Sequence, residues 1–189
     1  VSMIPPDPGK GPSHDFHLTV PDGDDHERLV CRTCGFVNYV NPKIVVGSVV
    51  THQGRFLLAR RAIDPRLGFW TLPAGFMEVG ETVADGARRE AREEANAEIV
   101  IDALLAVYSI PRISQVQLMH RATLARPDFS PGAESLEVRL FAWDEIPWGE
   151  IAFPSVVWAL NHWRQVEGQA VFVPFTNPPG ETGDRPLAP

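Results

Sequence analysis

Gly75-Phe-Met-Glu-Val-Gly-Glu81-Thr-Val-Ala-Asp-Gly-Ala-Arg-Arg89-Glu90-Ala-Arg-Glu93-Glu94-Ala-Asn96-Ala97 is the stretch on which the reading of this chain turns. Its later part, residues 81–95, reads as a helix. At about 100° per residue, Ala84, Ala87, Ala91 and Ala95 share one arc and Glu90, Glu93 and Glu94 share the next. Carboxylates spaced i, i+3, i+4 repel one another by roughly a few tenths of a kcal/mol per pair. A divalent cation removes that cost, and a ligand set made only of oxygen suits Mg²⁺ or Mn²⁺. The triplet by itself more often marks a solvated acidic helix face and decides nothing alone.

Outside this helix the chain alternates between strand-like and helical segments. The β-rich runs at 44–51 and 55–59 are joined by His52-Gln53-Gly54, a hairpin turn. Further strands are expected at 103–110, 115–125 and 138–143, and a second helix at 155–166. The pattern predicts an α+β fold in which a mixed sheet is layered with helices. With 189 residues, 44% of them hydrophobic and 22% charged, the chain is long enough for one domain with a real core plus a small appendage. A net charge of -7 and the lack of a Lys/Arg run argue against a nucleic-acid footprint. Its apolar runs are too short to span a bilayer, so no membrane partner and a cytoplasmic location are expected.

The flanks of the glutamate triplet narrow the reading. Gly75, Glu81, Arg89, Glu90, Glu93 and Glu94 together resemble the Nudix box, G-x5-E-x7-R-E-U-x-E-E-x-G-U with U apolar, and the one departure is Asn96 in place of its second glycine. Asn is the next most tolerant residue in the left-handed conformation that a helix end asks for there. The resemblance implies the Nudix fold, a mixed β-sheet sandwiched between helices. It also implies a Mg²⁺-dependent pyrophosphatase, with Glu90, Glu93, Glu94 and the Gly75 carbonyl on the metal and Glu81 paired to Arg89 as support for the loop.

Tyr39-Val-Asn-Pro-Lys43, Phe69-Trp-Thr-Leu-Pro-Ala-Gly-Phe76 and Pro131-Gly-Ala-Glu-Ser-Leu-Glu137 extend the likeness to ADP-ribose/FAD pyrophosphatases of bacteria and plant plastids. This implies release of AMP from ADP-ribose or FAD, and a homodimer. The alternative is a Nudix-fold sensor that binds such a molecule without cutting it. In the acidic loop before the last strand, Glu134 is the first candidate for a base or further metal ligand, and Glu137 the second. Arg61 and Arg112 are candidates for holding substrate phosphates, with Arg60 a weaker one, and Phe69 and Tyr108 for stacking on a base or flavin ring. Trp70 reads as core.

Four segments result: a Pro/Gly-rich arm over 1–13, a small ribbon-like module over 14–42, the hydrolase domain over 43–170, and a Pro-rich tail over 171–189, expected to be disordered from 174. Cys31-Arg-Thr-Cys34-Gly35 resembles one knuckle of a zinc ribbon. Its upstream partner is missing, because Gly9 and Pro12 stand in that region and no cysteine does. His14 and His17 are the candidates to complete a structural Zn²⁺ site with Cys31 and Cys34, and the other reading is a degenerate ribbon.

Overall fold

The computed structural model describes residues 15–183, which divide into one unit up to Asn41 and a second from Pro42. The arm over 1–13, His14 and the last six residues lie outside the described residues. In the first unit, β1 (Phe16–Thr19), β2 (Arg28–Cys31) and β3 (Val37–Asn38) form an antiparallel sheet. At its end Gly35, at φ 73°, closes a knuckle-like turn in which the Gly35 N–H donates to the Cys31 carbonyl at 2.9 Å. A left-handed residue is needed there, and glycine takes that conformation without a Cβ penalty. The guanidinium of Arg28 bonds Asp24 at 3.0 Å and covers the Tyr39 ring at 5.4 Å.

The second unit is built on β4 (Lys43–His52) and β5 (Arg55–Arg61), an antiparallel hairpin. Gln53 and Gly54 turn it with positive φ, 48° and 76°, as the right-handed strand twist favours in a two-residue turn. Two short strands, β6 (Trp70–Thr71) and β7 (Ala74–Phe76), pair with β5 and β4. Helix α1 (Val83–Ala95) follows, then β8 (Ile99–Ile110), β9 (Gln115–Leu124), β10 (Ser135–Phe141) and α2 (Pro154–Gln165). The sheet runs β10-β5-β4-β9-β8, with β4 and β9 parallel and the other neighbours antiparallel.

Successive residues of the hairpin feed opposite layers. Val50, Leu57 and Ala59 pack with Ala91 and Ala95 of α1, while Val49, Phe56 and Leu58 pack with Trp158, Ala159, Leu160 and Trp163 of α2. Side chains alternate across a strand, so one hairpin supplies both cores. The alanine arc of α1 is what lets its backbone approach the sheet closely: Ala87, Ala91 and Ala95 are fully buried.

Two expectations are corrected. Strand β8 starts at Ile99 rather than 103, because irregularities between Ile101 and Ala103 and between Leu104 and Ala106 break the alternation that marks a strand in sequence. The tail is ordered over its described part. The Phe175 N–H donates to the Leu105 carbonyl, the Val107 N–H to the Phe175 carbonyl, each at 2.9 Å, and the Phe175 ring stacks on His162 at 4.2 Å. Asn177 adds two hydrogen bonds to the Ser109 backbone, accepting its N–H at 2.9 Å and donating to its carbonyl at 2.8 Å. Proline content suggests disorder, yet these residues cover apolar surface on β8 and α2 that would otherwise meet water. Among the described residues no helix is long and apolar enough to cross a membrane.

Candidate active site

Thr82 starts α1 by accepting the Asp85 N–H on its hydroxyl at 3.1 Å, and Asn96 ends it in the left-handed conformation at φ 47°. Within these limits the helix turns its alanines to the sheet and its glutamates to the loop before it. Glu90 and Glu94 are buried, at 7% and 6% exposure, while Glu93 reaches solvent. Burial pushes the Glu94 carboxyl up to about 8, and its nearness to Glu90 and Glu134 adds to the rise. Glu90 is raised too, first by burial, with Glu93 and Glu134 contributing; Arg89 opposes the rise. The Ala74 N–H fixes one oxygen of Glu94 at 3.1 Å.

Arg89 holds the cluster together. Its guanidinium grips Glu81 through two nitrogens at 2.9 and 3.1 Å, and donates to the Phe76 carbonyl at 2.9 Å. It also reaches Glu90 at 2.7 Å and Glu93 at 2.9 Å. The Arg89 bond and the Glu78 N–H hold Glu81 down at about 2, so Glu81 stays ionised as the fixed end of a forked ion pair. Arg89 therefore links the loop 75–81 to α1 and faces two of the three cluster carboxylates.

Gly75 sits against this cluster. A Cβ there would lie 2.4 Å from both Glu90 carboxylate oxygens, so no other residue leaves room for that carboxylate beside the loop. The donors fit a hard divalent cation: all are oxygens, two carboxylates are buried at the cost of a raised pKa, and the backbone at Gly75 lies directly beside them.

The cluster lines a cleft of about 1160 Å³, larger than the roughly 300–1,000 Å³ that suits a drug-sized ligand. Arg61 and Arg112 line it, and Arg61 lies near enough to lower the Glu94 carboxyl. Glu134 lines it too, close enough to Glu90 and Glu94 to raise both. Its neighbour in expectation, Glu137, does not line the cleft; it sits on β10 with its carboxylate 3.8 Å from Arg139. Phe69 is also outside the lining and lies under the Arg66 guanidinium at 5.1 Å. Tyr108 is fully buried, its hydroxyl 2.7 Å from His162 Nδ1, so it has no ring face for a ligand.

Sequence reading passed over Arg66, Phe153, Gln115 and Gln117, which also line the cleft. The two glutamines stand two apart on β9, and Gln117 Nε2 donates to Gln115 Oε1 at 3.2 Å. Strand alternation puts them on one face, but only the tertiary fold tells that this face meets the cleft.

Of the expected zinc donors, Cys31, Cys34 and His17 lie among the described residues. Cys31 is buried and Cys34 exposed. Phe16 pairs with Cys31 and His17 with Val30, so alternation places His17 on the face opposite Cys31. His14 lies outside the described residues. Two thiols do not make the four-ligand set of a structural zinc, and the described donors do not fit one.

A family model of the NUDIX domain matches residues 41–158, and a zinc-ribbon model described as Nudix N-terminal matches residues 13–40. The crystal structure of a NUDIX hydrolase from Nitrosomonas europaea is 46% identical, covers 87% of this chain and 94% of its own, and has a TM-score of 0.81. An ADP-ribose pyrophosphatase of Methanocaldococcus jannaschii is 28% identical over 113 residues, 58% of this chain and 67% of that protein. An NAD-capped RNA hydrolase, NudC, of Pseudomonas aeruginosa is 31% identical over 129 residues, 65% of this chain and 45% of its own length. The chain thus spans about two thirds of the archaeal relative and under half of NudC.

Proposed function

The chain belongs to the Nudix family, and on that premise we propose that it hydrolyses the pyrophosphate of a nucleoside diphosphate derivative with Mg²⁺ or Mn²⁺, ADP-ribose or FAD being the substrate and AMP a product. The observation that carries this reading is that Glu90, Glu93, Glu94 and Glu134 line one cleft together with Gly75, Arg61 and Arg112. A divalent ion at the carboxylates supplies Lewis acidity to phosphate oxygens and lowers the pKa of water.

The chain's own residues do the rest. Arg89, anchored on Glu81, keeps the loop against α1, and the Ala74 N–H orients Glu94. Arg61 and Arg112 hold the remaining phosphate charge. Water attacks one phosphorus, its oxygen forms the new P–O bond, and the bridging P–O bond breaks. Glu134 takes the proton of the attacking water, and the leaving phosphate carries away the bridging oxygen. An NAD-capped RNA, the substrate in NudC's name, fits less well, because a net charge of -7 repels a polynucleotide.

Incubation with ADP-ribose, FAD, NADH, CoA and nucleoside triphosphates in Mg²⁺, read by product mass, tests the reading. AMP from ADP-ribose or FAD is the expected outcome, and Glu93→Gln lowers its rate by at least about a hundredfold. Binding without turnover of any of them would instead identify a ligand sensor.

A further inference from the structure

The one departure from the family motif leads beyond the activity. Asn96 occupies the left-handed position at the end of α1, with φ 47° and ψ 30°, and its N–H caps the Ala91 and Arg92 carbonyls. Glycine meets that backbone demand better than any other residue. What glycine lacks is the side chain, and here the side chain is engaged. Asn96 Nδ2 donates into a nest of three acceptors, the Pro131 carbonyl at 3.0 Å, Ser130 Oγ at 3.1 Å and the Ser130 carbonyl at 3.3 Å.

Those acceptors belong to the loop that carries Glu134. This loop lies directly on the helix end: the Ser130 N–H donates to the Ala95 carbonyl at 2.9 Å and the Gly132 N–H to the Glu94 carbonyl at 3.0 Å. A Cβ at Gly132 would fall 1.7 Å from the Glu93 carbonyl oxygen, so only glycine permits so close an approach. Two residues on, the Glu134 carbonyl accepts the Ala62 N–H at 2.8 Å, just past β5. The carboxylate of Glu134 is exposed at the cleft wall. Its place is therefore set by the two ends of its loop, one on α1 and one beside β5.

We propose that Asn96 is a positioning residue for Glu134, its amide tethering the 130–134 loop to the end of the carboxylate helix so that Glu134 is held in the cleft near Glu90 and Glu94. The inference rests on the proposed hydrolysis for its kinetic consequence, but the tether stands apart from it. An exposed loop acid held near its working position loses less freedom when the reaction begins, and misplacement by about 1 Å costs up to a hundredfold in rate.

Asn96→Gly is the direct test, because glycine keeps the helix end and removes only the amide. Two readouts are taken: backbone amide exchange at Ser130, Gly132 and Glu134, and steady-state hydrolysis of ADP-ribose or FAD. Exchange in the loop rises at least about tenfold, and kcat falls about tenfold with KM within about twofold. In a Glu134→Gln background the same change adds less than about twofold, since a tether acts only through what it holds. Asn96→Asp, equal in shape but without the donor, reproduces the glycine result. A wild-type kcat in Asn96→Gly, or a loss that multiplies with that of Glu134→Gln, overturns the proposal. If the wild type hydrolyses none of the nucleotides, the activity reading fails by itself and the exchange experiment still decides the tether: unchanged loop exchange in Asn96→Gly overturns it, a rise upholds it.

Discussion

Glu94 is the residue whose environment is hardest to reconcile with an inert helix face. It is buried at 6% exposure, raised to about 8, and set beside Glu90 and Glu134. A solvated acidic face, the other reading of the triplet, would leave all three helix carboxylates in water; burial of two of them excludes it. Carboxylates crowded in this way are stabilised by any cation that binds the folded state and not the unfolded chain. At about ten times its Kd such an ion adds ~1.4 kcal/mol, and for a chain of this size that is a rise of roughly 3–6 °C in Tm. Mg²⁺ or Mn²⁺ is therefore expected to raise the melting temperature measured by calorimetry, and Glu93→Gln to reduce the rise. Glu93 is exposed, so the variant's own Tm without metal stays close to wild type. An equal rise in wild type and variant would remove Glu93 from the metal site. A motif fixes neighbours in sequence, and Glu81 and Arg89, named from one, are paired at 2.9 and 3.1 Å. Tyr108 is buried against His162 instead of facing the cleft, because an isolated aromatic in a strand carries no sign of which face it occupies.

Strands and helices show the same boundary between local and tertiary information. Helix α1 was legible because caps and periodicity are local: Thr82 opens it and Asn96 closes it. Strands β6 and β7 were not, since two- and three-residue strands have no period, and they form only because β5 and β4 offer edges. The segment after α2 hid its order behind prolines, and its packing concentrates on His162, at 8% exposure between Tyr108 and Phe175. Burial holds His162 below the ordinary histidine value of 6.5. The unfolded or undocked state then binds more protons in the window just below 6.5, so the stability this histidine contributes is present above that pH and is lost as pH falls toward the lowered value. Protection factors of the Val107 and Phe175 amides, which tie the segment to β8, are expected to fall between about pH 7.5 and 5.5 relative to those of β9. In His162→Gln the pH dependence disappears. A decline that persists in that variant would place the titrating group elsewhere.

At the scale of the molecule, the two units were readable to different depths for a physical reason. The unit from Pro42 buries two apolar layers against one sheet, so its sequence carries hydrophobic patterning along most of its length. The unit before it is too short for a core of that kind, and its ordering shows instead in paired charges and a turn: Asp24 with Arg28, Asp15 with Arg32, and Gly35 closing the knuckle. Relatives of a zinc-ribbon type hold such a module with four ligands around one ion. Here Cys31 and Cys34 are the only cysteines in the chain, and His17 faces away from Cys31. The Arg28 guanidinium, bonded to Asp24 and lying over Tyr39, joins the hairpin that links β1 to β2 with the strand end beyond β3, a junction a metal would not need to make. Protein purified without added zinc is therefore expected to hold less than about 0.2 equivalents by elemental analysis, and a chelator to leave the exchange protection of the β1 and β2 amides unchanged. About one equivalent of tightly held zinc, with β1 and β2 losing protection when it is stripped, would mean that His14 and further donors close around the thiols after all.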